Sequence, residues 1–220
     1  MAEHFHRELS ILKQQIHRMG GLVEENLKRA TTSVIEHNPT LAQAVLESDE
    51  EINRLEVEVE EACLKILALY QPVAVDLRYV IAVLKMNNEL ERIGDYAVNI
   101  SKRALSFNED PEFVIPSLFA DMANSTRAML SNSLDALINF SEASAREVVA
   151  ADDAVDELNG KIYDYVRFEL EGGNTGQASS LIHLLTVSRM VERTADRVTN
   201  IAEDIIYMIE GTIIRHSGDD

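Results

Sequence analysis

Two stretches carry the residues best suited to chemistry: Leu90 to Asn99, LERIGDYAVN, and Val191 to Asn200, VERTADRVTN. Glu91, Arg92, Asp95, Asn99 and Ile100 recur as Glu192, Arg193, Asp196, Asn200 and Ile201, each pair 101 residues apart. Acidic groups four residues apart lie one above the other on a helix, so each copy presents a carboxylate stripe. At about 100° per residue, Glu91, Asp95, Asn88 and Asn99 fall within about 80° of one another, and Leu90, Ile93, Ala97 and Ile100 take the other side. The stripe is therefore expected on or near the outer surface of a bundle. Glu192, Asp196 and Asn200 stand in the same relation to Thr194, Val198 and Ile201.

A second stripe lies upstream. Asp49, Asn53, Glu56 and Glu60 occupy one flank of the preceding helix, and Asp152 and Asp156 repeat its first two members at an offset of 103. If the two helices pack antiparallel, a carboxylate row from each meets along their shared groove. Oxygen-rich sites of that kind suit iron, manganese, magnesium or calcium, and zinc less selectively. Clustered carboxylates repel one another, and a cation relieves that strain. A lone ExxxD is most often a solvated helix face; duplication at matched spacing, with two stripes per half, is what favours a metal site. The candidate ligands are Glu91, Asp95, Glu192 and Asp196, with Asp49, Asn53, Asp152, Asp156, Asn99 and Asn200 beside them.

Other chemistry is poorly supplied. His4 and His6 share no helix face, and His17, His37, His183 and His216 stand apart in sequence, each expected at a surface or boundary. Cys63, the only cysteine, reads as a buried helix residue and excludes an intrachain disulfide. Nucleophile elbow, phosphate loop and dinucleotide fingerprint are all missing. Met86, Met122, Met129 and Met190 fit helical patterns as core filler.

The elements that must position the stripes are helical. Phe5, Leu9, Leu12, Ile16, Met19, Val23, Leu27, Ala30 and Val34 recur every three or four positions, predicting one long helix over His4 to His37 with Gly20-Gly21 softening its middle. Asn38-Pro39 reads as an N-cap followed by proline at the first helical position. The second helix runs to about Leu69, where Tyr70-Gln71-Pro72 breaks it, and the third from about Val73 to Leu105. The segment SFNEDPEFVIP lacks helical period, and its Asp110-Pro111-Glu112 resembles a capped helix start. Beyond it come a helix over Pro116 to Phe140, another to about Glu171, the turn GGNTG, and a last helix from Ala178 to about Glu210, with a tail, IIRHSGDD, expected to fray. The reading is all-α: a tandem repeat of two antiparallel three-helix bundles, six helices in all, over residues 1–107 and 116–220 with a linker at 108–115.

Composition agrees with this. Acidic residues number 38 against 20 Lys and Arg, a formal charge of −18 that repels nucleic acid and anionic lipid and favours cations or basic partner surfaces. Aromatics make up only 5% and there is no Trp, as is usual for helical bundles. MAEHFHRELS has neither a basic n-region nor an apolar h-region, and no apolar run approaches a membrane span, so a soluble cytoplasmic protein is expected.

The sequence resembles the PhoU family of bacterial phosphate-signalling regulators. The residues that carry the likeness are Leu90-Glu91-Arg92-Ile93-Gly94-Asp95 and Val191-Glu192-Arg193-Thr194-Ala195-Asp196, supported by Gln71-Pro72-Val73-Ala74-Val75-Asp76-Leu77-Arg78 and Met19-Gly20-Gly21-Leu22-Val23. The resemblance implies a cytoplasmic regulator, not an enzyme. It would link the ATPase subunit of the phosphate ABC transporter to a phosphate-sensing histidine kinase and repress the phosphate-starvation response. It also implies metal clusters on the bundle surface at these motifs, of iron, manganese, magnesium or zinc, and contact with the membrane only through partners. Assembly as a homodimer stays open at this stage. In the second half Gln177 and Ser179 stand where the first has Asp76 and Arg78, so a partner contact through that segment belongs to the first half alone. Two other functions fit the residues: a metal-dependent phosphohydrolase, which lacks an evident general base here, and a helical adaptor without metal.

Overall fold

The computed structural model describes residues 2–173 and 175–212. Its α-helices are α1 (Ala2–Ile35), α2 (Pro39–Tyr70), α3 (Ala74–Ala104), α4 (Ser117–Asn139), α5 (Glu142–Ala150), α6 (Asp152–Glu171) and α7 (Ala178–Glu210). The first three pack into one antiparallel bundle, and α4, α5–α6 and α7 into a second. One apolar cluster, from Leu12 and Ile16 of α1 to Ile201 and Ile205 of α7, runs through both.

Local sequence sets the boundaries. Asn38 caps α2, its side-chain oxygen accepting from the Thr40 and Leu41 amides at 3.1 and 3.3 Å, with Pro39 at the first helical position. Gln71, at φ 46°, ends α2 before Pro72. Phe140, at φ 50°, ends α4, and Ser141 caps α5.

Two expectations need correction. The fifth helix is two segments: at Ala151 the amide is shared between the Glu147 and Val148 carbonyls, both at 3.1 Å, and α6 begins at Asp152. Asp110-Pro111-Glu112 does not start a helix. A short 3₁₀ helix over Leu105–Glu109 leads into a turn there, and irregular backbone continues to Pro116. Ile115 precedes proline, which disfavours helix, and Phe113 is buried, stacked on Phe107 at 5.8 Å. Gly20-Gly21 does not break α1. A Cβ on Gly20 would lie 2.6 Å from Leu134 of α4, so this glycine lets the two helices cross closely, whereas Gly21 faces open space. The tail IIRHSGDD lies outside the described residues.

The halves join along α3 and α7, which run antiparallel. Arg78 donates to the Met208 carbonyl at 3.1 Å, Lys85 pairs with Asp204 at 3.2 Å, and Arg197 reaches Glu89 at 3.4 Å. Asp204 is almost wholly buried and Lys85 also lies over the Tyr207 ring at 5.2 Å. This seam brings the centre of α3, with Glu91 and Asp95, level with the centre of α7, with Glu192 and Asp196.

Two acidic grooves

In the first half the carboxylate rows of α2 and α3 face each other. Ile52, Leu55 and Val59 of α2 and Leu90, Ile93 and Ala97 of α3 are buried, which turns the intervening polar positions into the groove. The helices lie close at Gly94, where a Cβ would stand 3.4 Å from two Ile52 carbons, at the short end of ordinary van der Waals contact. Asp49 is half-buried and its acidity is weakened, first by burial and then by the Asp95 charge across the groove; Asn53, donating to its Oδ2 at 3.4 Å, and Lys102 oppose the rise. Glu91 is raised by burial, then by Asp95 and Glu56, with Arg92 opposing. Glu56 is raised by burial and by Glu60 one turn on. Asp95 and Asn99 are exposed. Arg92 turns along its own helix to donate to the Asn88 side chain at 2.9 Å.

The second half repeats this between α6 and α7. Burial pushes the Asp152 carboxyl up to about 6, with Asp196 and then Asp156 adding to the rise and the Thr199 hydroxyl opposing it. Asp156 is raised by burial, then by Asp196 and Asp153. Glu192 is raised by burial, an effect that Arg189 counters and that Asp196 and Asp156 reinforce. Asp152 Oδ1 and Glu192 Oε2 are buried without a hydrogen-bond partner. Asp196 is exposed and Asn200 half-buried. Among the described residues, no three His, Cys, Asp or Glu side chains stand close enough together to enclose one ion.

Several neighbours escaped the sequence reading. Lys102 acts on Asp49 and lies seven residues past Asp95, on nearly the same helical bearing; Arg189 acts on Glu192 from three residues before it. Those spacings were the available signal. Asp153, which acts on Asp152 and Asp156, was hidden because the break at Ala151 sets the start of α6. His37 and His183, distant in sequence, both lie against Phe107 with ring centroids 5.9 Å away. Cys63 is buried and its thiol is pushed up to about 12 by burial, which makes it inert. Met86, Met122 and Met129 are core residues, and Met190 is half-buried.

Two tandem three-helix bundles, each with a carboxylate groove between its second and third members, define a class: duplicated helical proteins whose acidic grooves are internal copies. Within that class, a family model described as the PhoU domain matches twice, over residues 16–104 and 119–205. The chain belongs to the PhoU family. It is 36% identical over 209 residues to phosphate-specific transport system accessory protein PhoU homolog 1 of Thermotoga maritima, covering 94% of this chain and 90% of that one. It is also 36% identical to the PhoU protein of Escherichia coli K12, covering 98% and 89%. The crystal structure of PhoU from Pseudomonas aeruginosa superposes with a TM-score of 0.87 at 32% identity, covering 94% of this chain and all of that one. The regulatory protein PhoU from Streptococcus pneumoniae, 24% identical, shares the fold with a TM-score of 0.86.

Proposed function

We propose that this chain is an accessory protein of phosphate-specific transport and a regulator of phosphate homeostasis, without catalytic activity of its own. It couples the transporter's ATPase subunit to a phosphate-sensing histidine kinase and holds the starvation response off when phosphate is plentiful. The observation that carries this reading is the duplicated acidic groove on a scaffold shared over nearly the full chain with proteins named as transport accessories. The protein works in the cytoplasm and meets the membrane through partners; among the described residues, no helix is long and apolar enough to cross a bilayer. A charge of −18 disfavours nucleic acid as a ligand. Assembly as a homodimer belongs to the same proposal and is read by light scattering.

Metal ions at the grooves are part of it. The donor set is carboxylate and amide oxygen, suited to iron, manganese, magnesium or zinc. Asp152 Oδ1 and Glu192 Oε2 lack the partner that buried carboxylate oxygens ordinarily have. Glu91, Asp95, Asp49 and Asn53 would hold ions in the first groove, and Glu192, Asp196, Asp152 and Asp156 in the second, with Asn99 and Asn200 at the margins. Closing on an ion takes side-chain rotation, since no three acids are gathered already.

The test has two arms. In a bacterium lacking its own homologue and carrying a starvation-promoter reporter, this chain should restore repression at high phosphate; a reporter that stays on defeats the regulatory reading. Protein purified without chelator should contain metal by elemental analysis, less in Asp95→Ala and in Asp196→Ala, and a rise in Tm on adding the metal back. No metal in the protein and no rise in Tm would reduce it to a metal-free adaptor. Metal-dependent phosphate release from a generic ester, lost in Asp95→Ala, would replace the regulator with a phosphohydrolase.

A further inference from the structure

Helical threonines in this chain share a habit from which Thr199 departs. Thr31, Thr126, Thr186 and Thr194 each donate the side-chain hydroxyl to the carbonyl four residues back, at 2.8 to 3.1 Å. The Thr199 hydroxyl oxygen is buried and makes no hydrogen bond. It stands beside the Asp152 carboxyl, close enough to temper it. On α7 it lies three residues past Asp196 and seven past Glu192, on the face of the helix that carries both acids. Asp152 Oδ1, across the groove on α6, is likewise buried and unpartnered. Two neighbouring side chains, one anionic and one neutral, thus each hold an oxygen removed from water without a partner, next to Asp196, whose charge also acts on Asp152. Buried oxygens ordinarily have partners. Among the described residues no three acids gather around one point, and Thr199 adds an oxygen where two of them face each other. The first half has Val98 at the corresponding position, buried and without a donor atom, and its Asp49 accepts from Asn53 at 3.4 Å.

We propose that the Thr199 hydroxyl is a ligand of the second groove's cation, together with Asp152 and Asp196, and that this neutral oxygen sets the second groove apart from the first. Thr199 takes this part only if the grooves hold metal, as proposed above. An oxygen already removed from water gives up little hydration when an ion arrives, so its cost has been met in folding. A hydroxyl also adds a coordination position without the repulsion that one more carboxylate would bring among Asp152, Asp156 and Asp196. An all-oxygen set with a neutral member suits manganese and magnesium, which take hydroxyl, carbonyl and water oxygens beside carboxylates. Val98 denies the first groove that position, and ions there depend on carboxylates and on Asn53 alone.

Manganese is the probe, because the paramagnetic signal of its free aquo ion falls as the protein takes it up. In Asp95→Ala protein, where the first groove is disabled, Thr199→Val should weaken manganese binding by about tenfold or more, and Thr199→Ser, which keeps the hydroxyl, should restore most of the affinity. In Asp196→Ala protein, where the second groove is disabled, Thr199→Val should leave manganese binding unchanged. In chelator, Thr199→Val should melt at the same temperature as the unaltered chain or higher, since it replaces a buried hydroxyl that has no partner by a methyl of the same shape. Undiminished binding by Thr199→Val in the Asp95→Ala background, failure of serine to restore it, or equal weakening in both backgrounds would overturn the proposal. So would a lower Tm for Thr199→Val in chelator, because the hydroxyl would then serve the fold by donating to Asp152. Manganese taken up by neither groove of the unaltered chain would defeat the metal reading itself, and the role of Thr199 with it.

Discussion

The two grooves begin from the same plan and diverge in how they balance charge. The first carries the longer acidic row, Asp49, Glu56 and Glu60 facing Glu91 and Asp95, and tempers it with Lys102 and Asn53. In the second the row is shorter but more deeply set: Asp152 has buried, unpartnered oxygen and a carboxyl at about 6, and Arg189 stands where the first half has Asn88. The difference teaches that carboxylate number and carboxylate strain are separate variables. The strongly raised carboxyl is Asp152, in the shorter row, held by burial among Asp196, Asp156 and Asp153 with Thr199 opposing. The seam between the halves is unequal too. Lys85 and Asp204 pair across it, and the corresponding positions, Thr186 and Arg103, cannot form the same pair.

Forcing one half to copy the other breaks this comparison most severely at the seam. Lys85→Thr removes one charge partner of the buried Asp204, and should cost about 1.5 to 3 kcal/mol in urea denaturation. A cost below 0.5 kcal/mol would show that the seam does not depend on the pair.

The pH dependence of the grooves is next in size. Asp152 has a raised pKa, so the folded protein holds its proton more tightly than the unfolded chain does. Stability from this group is present at acid pH and falls as pH rises from about 4 to about 6. Asp152→Asn, measured in chelator, should therefore stabilise the protein at pH 7.5 and not at pH 4, by on the order of 1 kcal/mol once solvent screening is discounted. Asp49→Asn should act in the same direction, since burial and Asp95 raise that group as well, and by less. A larger gain in the first half would invert the comparison.

The smallest effect sharpens it. Gly94 against Ile52 corresponds to Ala195 and Val155, so a methyl lost from one helix is regained on the other. Gly94→Ala places a methyl 3.4 Å from Ile52, and combining it with Ile52→Val should recover about 0.5 to 1 kcal/mol of coupling in a double-mutant cycle. Strict additivity would show that the two positions do not share space.

Much of this was legible beforehand, and the reasons are local. Asn38-Pro39 and Pro72 marked the ends of α2 because capping and the missing proline amide act within a few residues. The apolar period placed the acidic rows away from the buried face of each helix, and the antiparallel packing of α2 on α3 then brings Asp49 within range of the Asp95 charge. The break at Ala151 was not legible, since neither proline nor glycine marks it and its local sign is one amide shared by two carbonyls. Asp110-Pro111-Glu112 looked like a helix start, and the pull came from Phe113 packing on Phe107, a contact that no periodicity reports. His37 and His183 share that same ring because the α3–α7 seam folds the second half back over the first.

That antiparallel seam also fixes the protein's reach. At 31 residues, α3 is about 46 Å long, and α7 lies along it pointing the other way. The α2–α3 hairpin tip, with exposed Leu69, Val73 and Val75, therefore projects from one end, and the α6–α7 turn from the other. Two bodies gripping opposite tips would be held a fixed distance apart by a continuous helical strut. A displacement at one end would reach the other as a tilt of the whole bar, in the manner of a connecting rod.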